Sequence, residues 1–121
     1  MYYCVLVLKI MLYSSELIKG TLKTIVLKLL SGHRMYGYEI TQKVKELTFD
    51  KIQITEGALY PTLHALEAEG LVTVESEYIG KRVRKYYSLS PEGKARTTEK
   101  VNEFADFVNT MKYLLDLPAT T

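Results

Sequence analysis

The stretch from Thr55 to Gly70 constrains the fold most, because it reads as one helix with both ends marked. Leu59, Leu63 and Leu66 recur at spacings of four and three residues, which place apolar side chains on one face of a helix. Thr55 can cap the first turn through its hydroxyl, and Gly70 can end the helix in the left-handed conformation. The sequence therefore predicts a helix that packs with one face and leaves another free. The free residues are Thr55, Gly57, Tyr60, Pro61 and His64.

Two more helices are predicted before this one. The first runs from Ser14 or Ser15 to Ser31, because apolar residues form one broad face over that range. The second resumes the apolar pattern from Tyr36 to about Leu47. Residues 49–53 then connect it to the helix at Thr55, a connection somewhat longer than the tightest helix-turn-helix turn. The sequence thus predicts three short helices in succession.

A β-hairpin and a last helix are predicted after the three helices. The strands span residues 71–79 and 83–89, with Gly80, Lys81 and Arg82 as the turn. Ser90 and Pro91 are typical of a helix start, so we expect a helix from Pro91 to about Asp116. Its apolar residues are spaced by three, four, three and four, as in a seam between two helices. The seam residues are Val101, Phe104, Val108, Met111 and Leu115.

Positive charge is concentrated in the predicted hairpin. The whole chain of 121 residues carries a net charge of only +2. From Leu71 to Ser90, however, four basic residues face only two acidic ones, whereas from Lys51 to Gly70 one basic residue faces three acidic ones. A basic run of this kind is usually a solvated turn, but its place at the tip of a hairpin beside a helix-turn-helix favours contact with phosphate groups. The four basic residues are Lys81, Arg82, Arg84 and Lys85.

The sequence shows no pattern typical of a metal site or an enzyme. His33, His64 and Cys4 lack the paired spacings of zinc ligands. There is no nucleophile elbow, glycine-rich phosphate loop or pair of carboxylates for acid–base chemistry. We therefore predict no catalytic residue, no metal and no cofactor.

The first 13 residues form an apolar run that is broken only by Lys9. The run is shorter than the roughly 20 residues that span a bilayer, and it lacks the basic leader of a secretion signal. Residues 1–10 are either translated upstream sequence or a genuine element that packs on a dimer, and both alternatives stay open. A single cysteine, Cys4, excludes an internal disulfide and fits a reducing compartment. We expect a cytoplasmic protein without a membrane partner.

Three ordered groups of residues carry a family resemblance. They are Met35–Ile40 (MYGYEI), Glu56–Gly70 with its leucines and Glu67, and Arg84–Gly93 (RKYYSLSPEG). Together they resemble the signature of the PadR family of bacterial transcriptional regulators, over about Leu17 to Gly93. The resemblance implies a mainly α fold, a winged helix-turn-helix with a small β-hairpin wing and a C-terminal dimerisation helix. It also implies a homodimeric repressor of transcription, which an effector releases from its operator.

The resemblance divides the chain and assigns its DNA-contacting residues. Residues 1–14 are an apolar N-terminal extension, 15–90 the DNA-binding domain, 91–117 the dimerisation helix and 118–121 a tail. In helix-turn-helix docking the second helix of the motif enters the major groove with its N-terminal residues against the bases. We therefore expect contacts with double-stranded operator DNA from the helix at Thr55 and from the wing. The candidates are Thr55, Gly57, Ala58, Tyr60, Pro61, Thr62, His64, Lys81, Arg82, Arg84 and Lys85.

Three functional readings stay open on the sequence alone. The first is a dimeric DNA-binding repressor, and the second is a winged-helix module for protein–protein interaction without DNA readout. The third, compatible with the first, is a sensor that binds a small apolar or aromatic effector between paired helices, near Phe104, Phe107 and Met111. Lysine and arginine are absent between Lys51 and Lys81. The helix at Thr55 therefore has no cationic side chain to bind phosphate, which favours the second function. The basic hairpin favours the first.

Overall fold

The computed structural model describes residues 13–118, which form five helices and a three-stranded antiparallel sheet. The mainly α fold with a small β wing is therefore confirmed. The predicted N-terminal extension up to residue 12 and the end of the predicted tail, residues 119–121, lie outside the described residues. Within the described part, no helix is long and apolar enough to cross a membrane. The elements are α1 (Ser15–Lys19), α2 (Leu22–Leu30), β1 (Met35–Tyr36), α3 (Gly37–Leu47), α4 (Glu56–Ala68), β2 (Val72–Ile79), β3 (Arg82–Leu89) and α5 (Pro91–Leu114).

The predicted leucine stripe of α4 lies at the centre of the core. Leu59, Leu63 and Leu66 are completely buried between α2, α3 and the inner face of the sheet. Each such side chain stabilises the fold by roughly 1.5–3 kcal/mol relative to an exposed one. Gly70 follows α4 with a φ of +77°, as its predicted role in ending the helix requires. The core therefore fixes which face of α4 remains on the surface.

The prediction of one continuous first helix was wrong, because the structure breaks it at Gly20 and Thr21. Gly20 is a poor helix former, and the Thr21 hydroxyl donates to the Ile18 carbonyl at 2.9 Å. Leu17, which was expected on the apolar face, is 63% exposed, and α1 has no buried residue. Of these two helices, only α2 therefore packs in the core.

Strand β1 was not predicted, because two residues carry no periodicity that a sequence pattern can show. It pairs with β3 and places Met35 opposite Tyr87 and Tyr36 opposite Tyr86. The strand order is β1-β3-β2. The short strand thus joins the start of α3 directly to the wing.

The wing is a hairpin with a turn of two residues rather than the predicted three. Ile79 pairs with Arg82, so the turn consists of Gly80 and Lys81, and Gly80 has a φ of +64°. A positive φ of this kind is typical of the two-residue turns that join antiparallel strands. Arg82 therefore belongs to β3, and its position on the strand is set by the register of the sheet.

Helix α5 begins against the end of α4. The Ser90 hydroxyl accepts from the Gly93 N–H at 3.0 Å and donates to the Gly70 carbonyl at 2.6 Å. A Cβ atom at Gly93 would overlap the carbonyl oxygen of Leu71, so the close crossing requires glycine there. After Thr97 no residue of α5 is buried in the single chain, and the helix ends at Leu114, before the predicted Asp116. Its first turns are anchored, and the rest presents an open surface.

Candidate nucleic-acid interface

The N-terminal half of α4 presents the predicted contact residues on one open surface. The Thr55 hydroxyl accepts from the Ala58 N–H at 3.3 Å and caps the helix as expected. The helix N-terminus is therefore ordered and carries the positive end of the helix dipole. Thr62 is half-buried, and its hydroxyl donates to the Ala58 carbonyl at 3.0 Å. The exposed residues of the predicted set are Thr55, Gly57, Ala58, Tyr60, Pro61 and His64.

Tyr60 links α4 to the start of α3. Its side chain is 38% exposed, and a Cβ atom at Gly37 would lie 2.7 Å from its hydroxyl oxygen. Gly37 therefore leaves the space that the end of the Tyr60 ring occupies. Tyr60 is both a packing residue and a surface residue, so α3 fixes its orientation on the exposed face of α4.

A cleft of about 540 Å³ separates α4 and the start of α3 from the wing. It brings Tyr60 together with Arg82, Arg84 and Lys85, although about twenty residues separate them in the chain. The four wing cations make no ion pair with any side chain in the described part of the protein. Unpaired cations in a cleft beside a helix N-terminus suit an anionic backbone. The cleft is lined by Tyr36, Gly37, Tyr38, Tyr60, Ile79, Arg82, Val83, Arg84, Lys85 and Tyr87.

The wing cations differ in how firmly they are held. Lys81, Arg82 and Lys85 are exposed, whereas Arg84 is half-buried. The Arg84 guanidinium lies 4.1 Å from the centroid of the Tyr36 ring, within the range of a cation–π interaction. Arg84 thus connects the wing to β1, whereas the other three are accessible from solvent.

Arg34 lies beside the wing and was not among the predicted contact residues. Its guanidinium lies 2.6 Å from a Glu77 oxygen and 3.3 Å from a Glu75 oxygen, and 4.3 Å from the centroid of the Tyr86 ring. The hydrogen bond to Glu77 raises the pKa of the Arg34 guanidinium above its usual value. The only two acidic residues of the hairpin are therefore paired with a cation from the segment before β1. The one indication of this pairing in the sequence was the spacing of Glu75 and Glu77, which places both carboxylates on the same face of a strand.

Two tyrosines at the start of α3 extend the surface. The rings of Tyr36 and Tyr38 are stacked with centroids 6.5 Å apart, and Tyr86 meets Tyr36 edge-on at 5.6 Å. Tyr38 is 58% exposed, more than Tyr60, which is among the predicted contact residues. Tyr87 faces the core instead, and burial raises the pKa of its phenol. Tyr38 therefore joins the candidate contact residues.

The predicted seam of α5 lies on the part of the helix that projects from the core. Val101, Val108 and Met111 are half-buried in the single chain, whereas Phe104 and Leu115 are exposed. The rings of Phe104 and Phe107 lie 6.5 Å apart. Adjacent large apolar side chains on one open helix mark a surface for association. Further exposed apolar residues near its end are Tyr113, Leu114 and Leu117.

No group of three or more histidine, cysteine, aspartate or glutamate side chains among residues 13–118 is placed to hold a metal ion. His33 and His64 belong to different elements, and Cys4 lies outside the described residues. The structure thus offers no metal centre in this range, and the expected lack of a cofactor stays a prediction.

Helices α2, α3 and α4 precede a basic hairpin, and α4 exposes its N-terminal face beside that hairpin. This arrangement defines a winged helix-turn-helix protein. The model of the transcriptional regulator PadR-like family matches residues 26–99. The chain belongs to this family of DNA-binding transcriptional regulators and is not an enzyme.

Individual relatives agree with this assignment. The chain is 38% identical over 69 residues to the transcriptional regulator Rv3488 of Mycobacterium tuberculosis, a match that covers 57% of this chain and 62% of that protein. A transcriptional regulator structure from Clostridium thermocellum is similar with a TM-score of 0.74 and 31% identity, covering 84% of this chain and 97% of the other. A PadR family structure from Eggerthella lenta has a TM-score of 0.75 at 27% identity and covers 97% of both chains. The likeness therefore includes α5 as well as the winged helix-turn-helix.

Proposed function

We propose that the protein is a sequence-specific repressor that binds operator DNA as a two-fold homodimer. The observation that carries the proposal is the cleft in which Tyr60 of α4 faces Arg82 and Lys85 of the wing. A duplex that places its major groove on α4 brings its phosphates toward these cations. Repression follows when such a dimer occupies a promoter.

In this proposal the wing binds phosphates, and α4 contacts the bases. The wing supplies four positive charges per chain and eight per dimer, which bind phosphates without regard to sequence. The exposed face of α4 reads the bases through Tyr60 and His64, but it offers no arginine or asparagine for two-point hydrogen bonding to one base. We therefore expect DNA shape and half-site spacing to contribute to the choice of operator.

The open face of α5 supports the homodimer. Phe104 is 40% exposed in the single chain, and Phe107 beside it is 55% exposed. Covering these rings with the same face of a second copy removes apolar surface from water and produces an isologous interface. The seam from Val101 to Leu115 is the proposed dimer interface.

We also propose that the protein acts in the cytoplasm.

We further propose that a small apolar or aromatic effector relieves repression. The effector would lie between the paired α5 helices, where Phe104, Phe107 and Met111 offer aromatic and adaptable side chains. Binding there would change the separation of the two α4 helices. This location depends on the dimer and stays a prediction.

Salt-dependent binding to the DNA upstream of its own gene tests the proposal. We expect fluorescence anisotropy to give a higher affinity for that duplex than for a scrambled one. If about half of the eight wing charges contact phosphates, log affinity should fall against log salt with a slope of roughly −4.

A protein–protein interaction module is the second candidate, because α4 carries Glu56 and Glu67 and no lysine or arginine. That module would bind both duplexes weakly and equally. Equal, salt-insensitive affinity for the two duplexes would therefore favour the second candidate over the repressor.

A further inference from the structure

An apolar cleft of about 380 Å³ lies where α2, α3 and α5 meet. It shares no residue with the cleft between α4 and the wing, so it is separate from the DNA-facing surface. Its volume falls at the lower end of the range for small-molecule pockets. Except for Phe104, its apolar walls are aliphatic. They consist of Ile25, Leu29, Val44, Leu47, Ile52 and Val101.

A smaller polar recess of about 210 Å³ adjoins this cleft, because Lys28 and Val101 line both. Lys94 contributes a second ammonium group, and Asn102 contributes an amide. The Thr97 hydroxyl, also in the recess, already donates to the Gly93 carbonyl at 2.7 Å. The charged hydrogen-bond donors of the recess are therefore the two lysines.

Neither lysine is neutralised within the described part of the chain. Lys28 and Lys94 form no ion pair with any acidic side chain among residues 13–118, and no aspartate or glutamate lines either recess. Two exposed, unpaired cations in the recess that adjoins an apolar cleft complement a ligand that has a hydrocarbon body and one anionic end.

We infer that the two recesses form one binding site for an aliphatic monocarboxylate of medium chain length. The hydrocarbon chain lies in the cleft between α2, α3 and α5, and the carboxylate accepts hydrogen bonds from Lys28 and Lys94. Burial of the chain drives binding, and the two ammonium groups select the anion. The walls offer a single aromatic ring, so the site favours an aliphatic chain over a planar aromatic ligand. The site is complete in one protomer and does not depend on the proposed DNA binding.

A second copy of the chain is the alternative occupant. Val101 and Phe104 line the cleft and also belong to the proposed dimer seam. If a partner helix filled the cleft, the dimer would have no room for the carboxylate. The two occupants therefore make opposite predictions for ligand binding by the assembled protein.

Isothermal titration calorimetry of the full chain with three probes tests the inference. Decanoate has both parts of the ligand, decanol has the same chain without the charge, and butyrate has the carboxylate without the chain. Below the concentration at which decanoate forms micelles, we expect one decanoate per protomer. Decanol should bind at least tenfold more weakly, and butyrate should show no saturable binding.

Variants separate the two recesses. Lys28→Gln with Lys94→Gln should lower decanoate affinity to that of decanol and leave decanol affinity unchanged. Lys19→Gln removes an exposed lysine of α1 and should leave both affinities unchanged. Ile25→Phe should fill the cleft and abolish decanoate binding. Leu47→Trp, at an exposed position on the cleft, gives the same test if Ile25→Phe does not fold.

Two results would overturn the inference. Equal affinity for decanoate and decanol, unchanged in the lysine double variant, would mean adsorption to apolar surface without recognition of the anion. A folded protein without saturable decanoate binding would mean that a second copy covers the cleft or that the cleft takes no ligand of this class. Each result is obtained without DNA, so neither can be confused with a failure of the repressor proposal.

Discussion

Arg34 lies 2.6 Å from Glu77, a residue 43 positions later in the chain, and thereby joins the segment before β1 to the middle of the wing. The same guanidinium pairs with Glu75 at 3.3 Å. Both carboxylates lie on the strand that precedes the basic turn, where unpaired negative charge would repel a phosphate backbone. Arg34 therefore neutralises the two carboxylates of the hairpin.

Replacing Arg34 should weaken DNA binding through the exposed carboxylates. We expect Arg34→Ala to lower affinity several-fold for operator and random duplex alike, because charge repulsion does not depend on base sequence. Adding Glu75→Gln and Glu77→Gln should restore most of the lost affinity. Arg96→Ala removes an arginine that pairs with Glu99 on α5 and serves as the control. Anisotropy titrations that show no rescue by the glutamines would assign Arg34 a direct contact instead.

The exposed wing cations should control the salt dependence. Lys81→Ala with Arg82→Ala removes four charges from a dimer and should flatten the salt slope by up to roughly 3.6, if all four contact phosphates. Arg84→Ala should have a smaller effect on the slope, because Arg84 is held against Tyr36. Affinity titrations over a salt series measure both effects. An unchanged slope in the double variant would show that the hairpin tip is only a solvated turn.

His64 should affect sequence discrimination rather than overall affinity. It is exposed on α4, so alanine in its place leaves the core intact. We expect His64→Ala to reduce the difference between operator and random duplex by about 1–3 kcal/mol, the value of one base contact. Glu67→Ala, also on the exposed surface of α4, is the matched control. Competition titrations decide the point, and an equal loss for both duplexes would assign His64 to phosphate contact.

We expect Gly37 to affect operator affinity, because it leaves the space that the Tyr60 ring occupies. An alanine Cβ at Gly37 would lie 2.7 Å from the Tyr60 hydroxyl and 3.0 Å from the ring carbon that carries it. We expect Gly37→Ala to displace the ring and to lower operator affinity, while the midpoint of thermal unfolding changes little because alanine favours helix. Adding Tyr60→Phe removes the closest atom and should recover part of the affinity, unless the hydroxyl itself contacts DNA. Gly20→Ala, which meets no atom within 4 Å, is the control.

The parts of the fold that depend on residues close together in the chain could be predicted from the sequence. The leucine stripe of α4, the cap at Thr55 and the start of α5 at Ser90 each depend on residues a few positions apart. The parts that depend on pairing across the chain could not. β1 exists only because Tyr36 meets Tyr86 across fifty residues, and the break at Gly20 depends on a hydroxyl bond that periodicity does not show.

The candidate site divides in the same way. Residue type and position along the chain indicated the α4 surface and the wing cations. Sequence could not distinguish Arg84 from Arg82, because the stacking of Arg84 on Tyr36 follows from the register of β3 with β1. The ion pairs of Arg34 could not be predicted for the same reason, because its partners lie on β2 at the far edge of the sheet.

Charges on the open face of α5 should separate the proposed dimer. Phe104→Glu with Val108→Glu would place four carboxylates in an interface built from two copies of this face, where unpaired charge is strongly unfavourable. The single chain should still fold, because neither position is fully buried in it. We expect sedimentation velocity at micromolar concentration to show monomer for this variant and dimer for the parent chain. Asn109→Glu, at an exposed position outside the seam, should remain dimeric. A double variant that stays dimeric would place the interface on another surface of the protein.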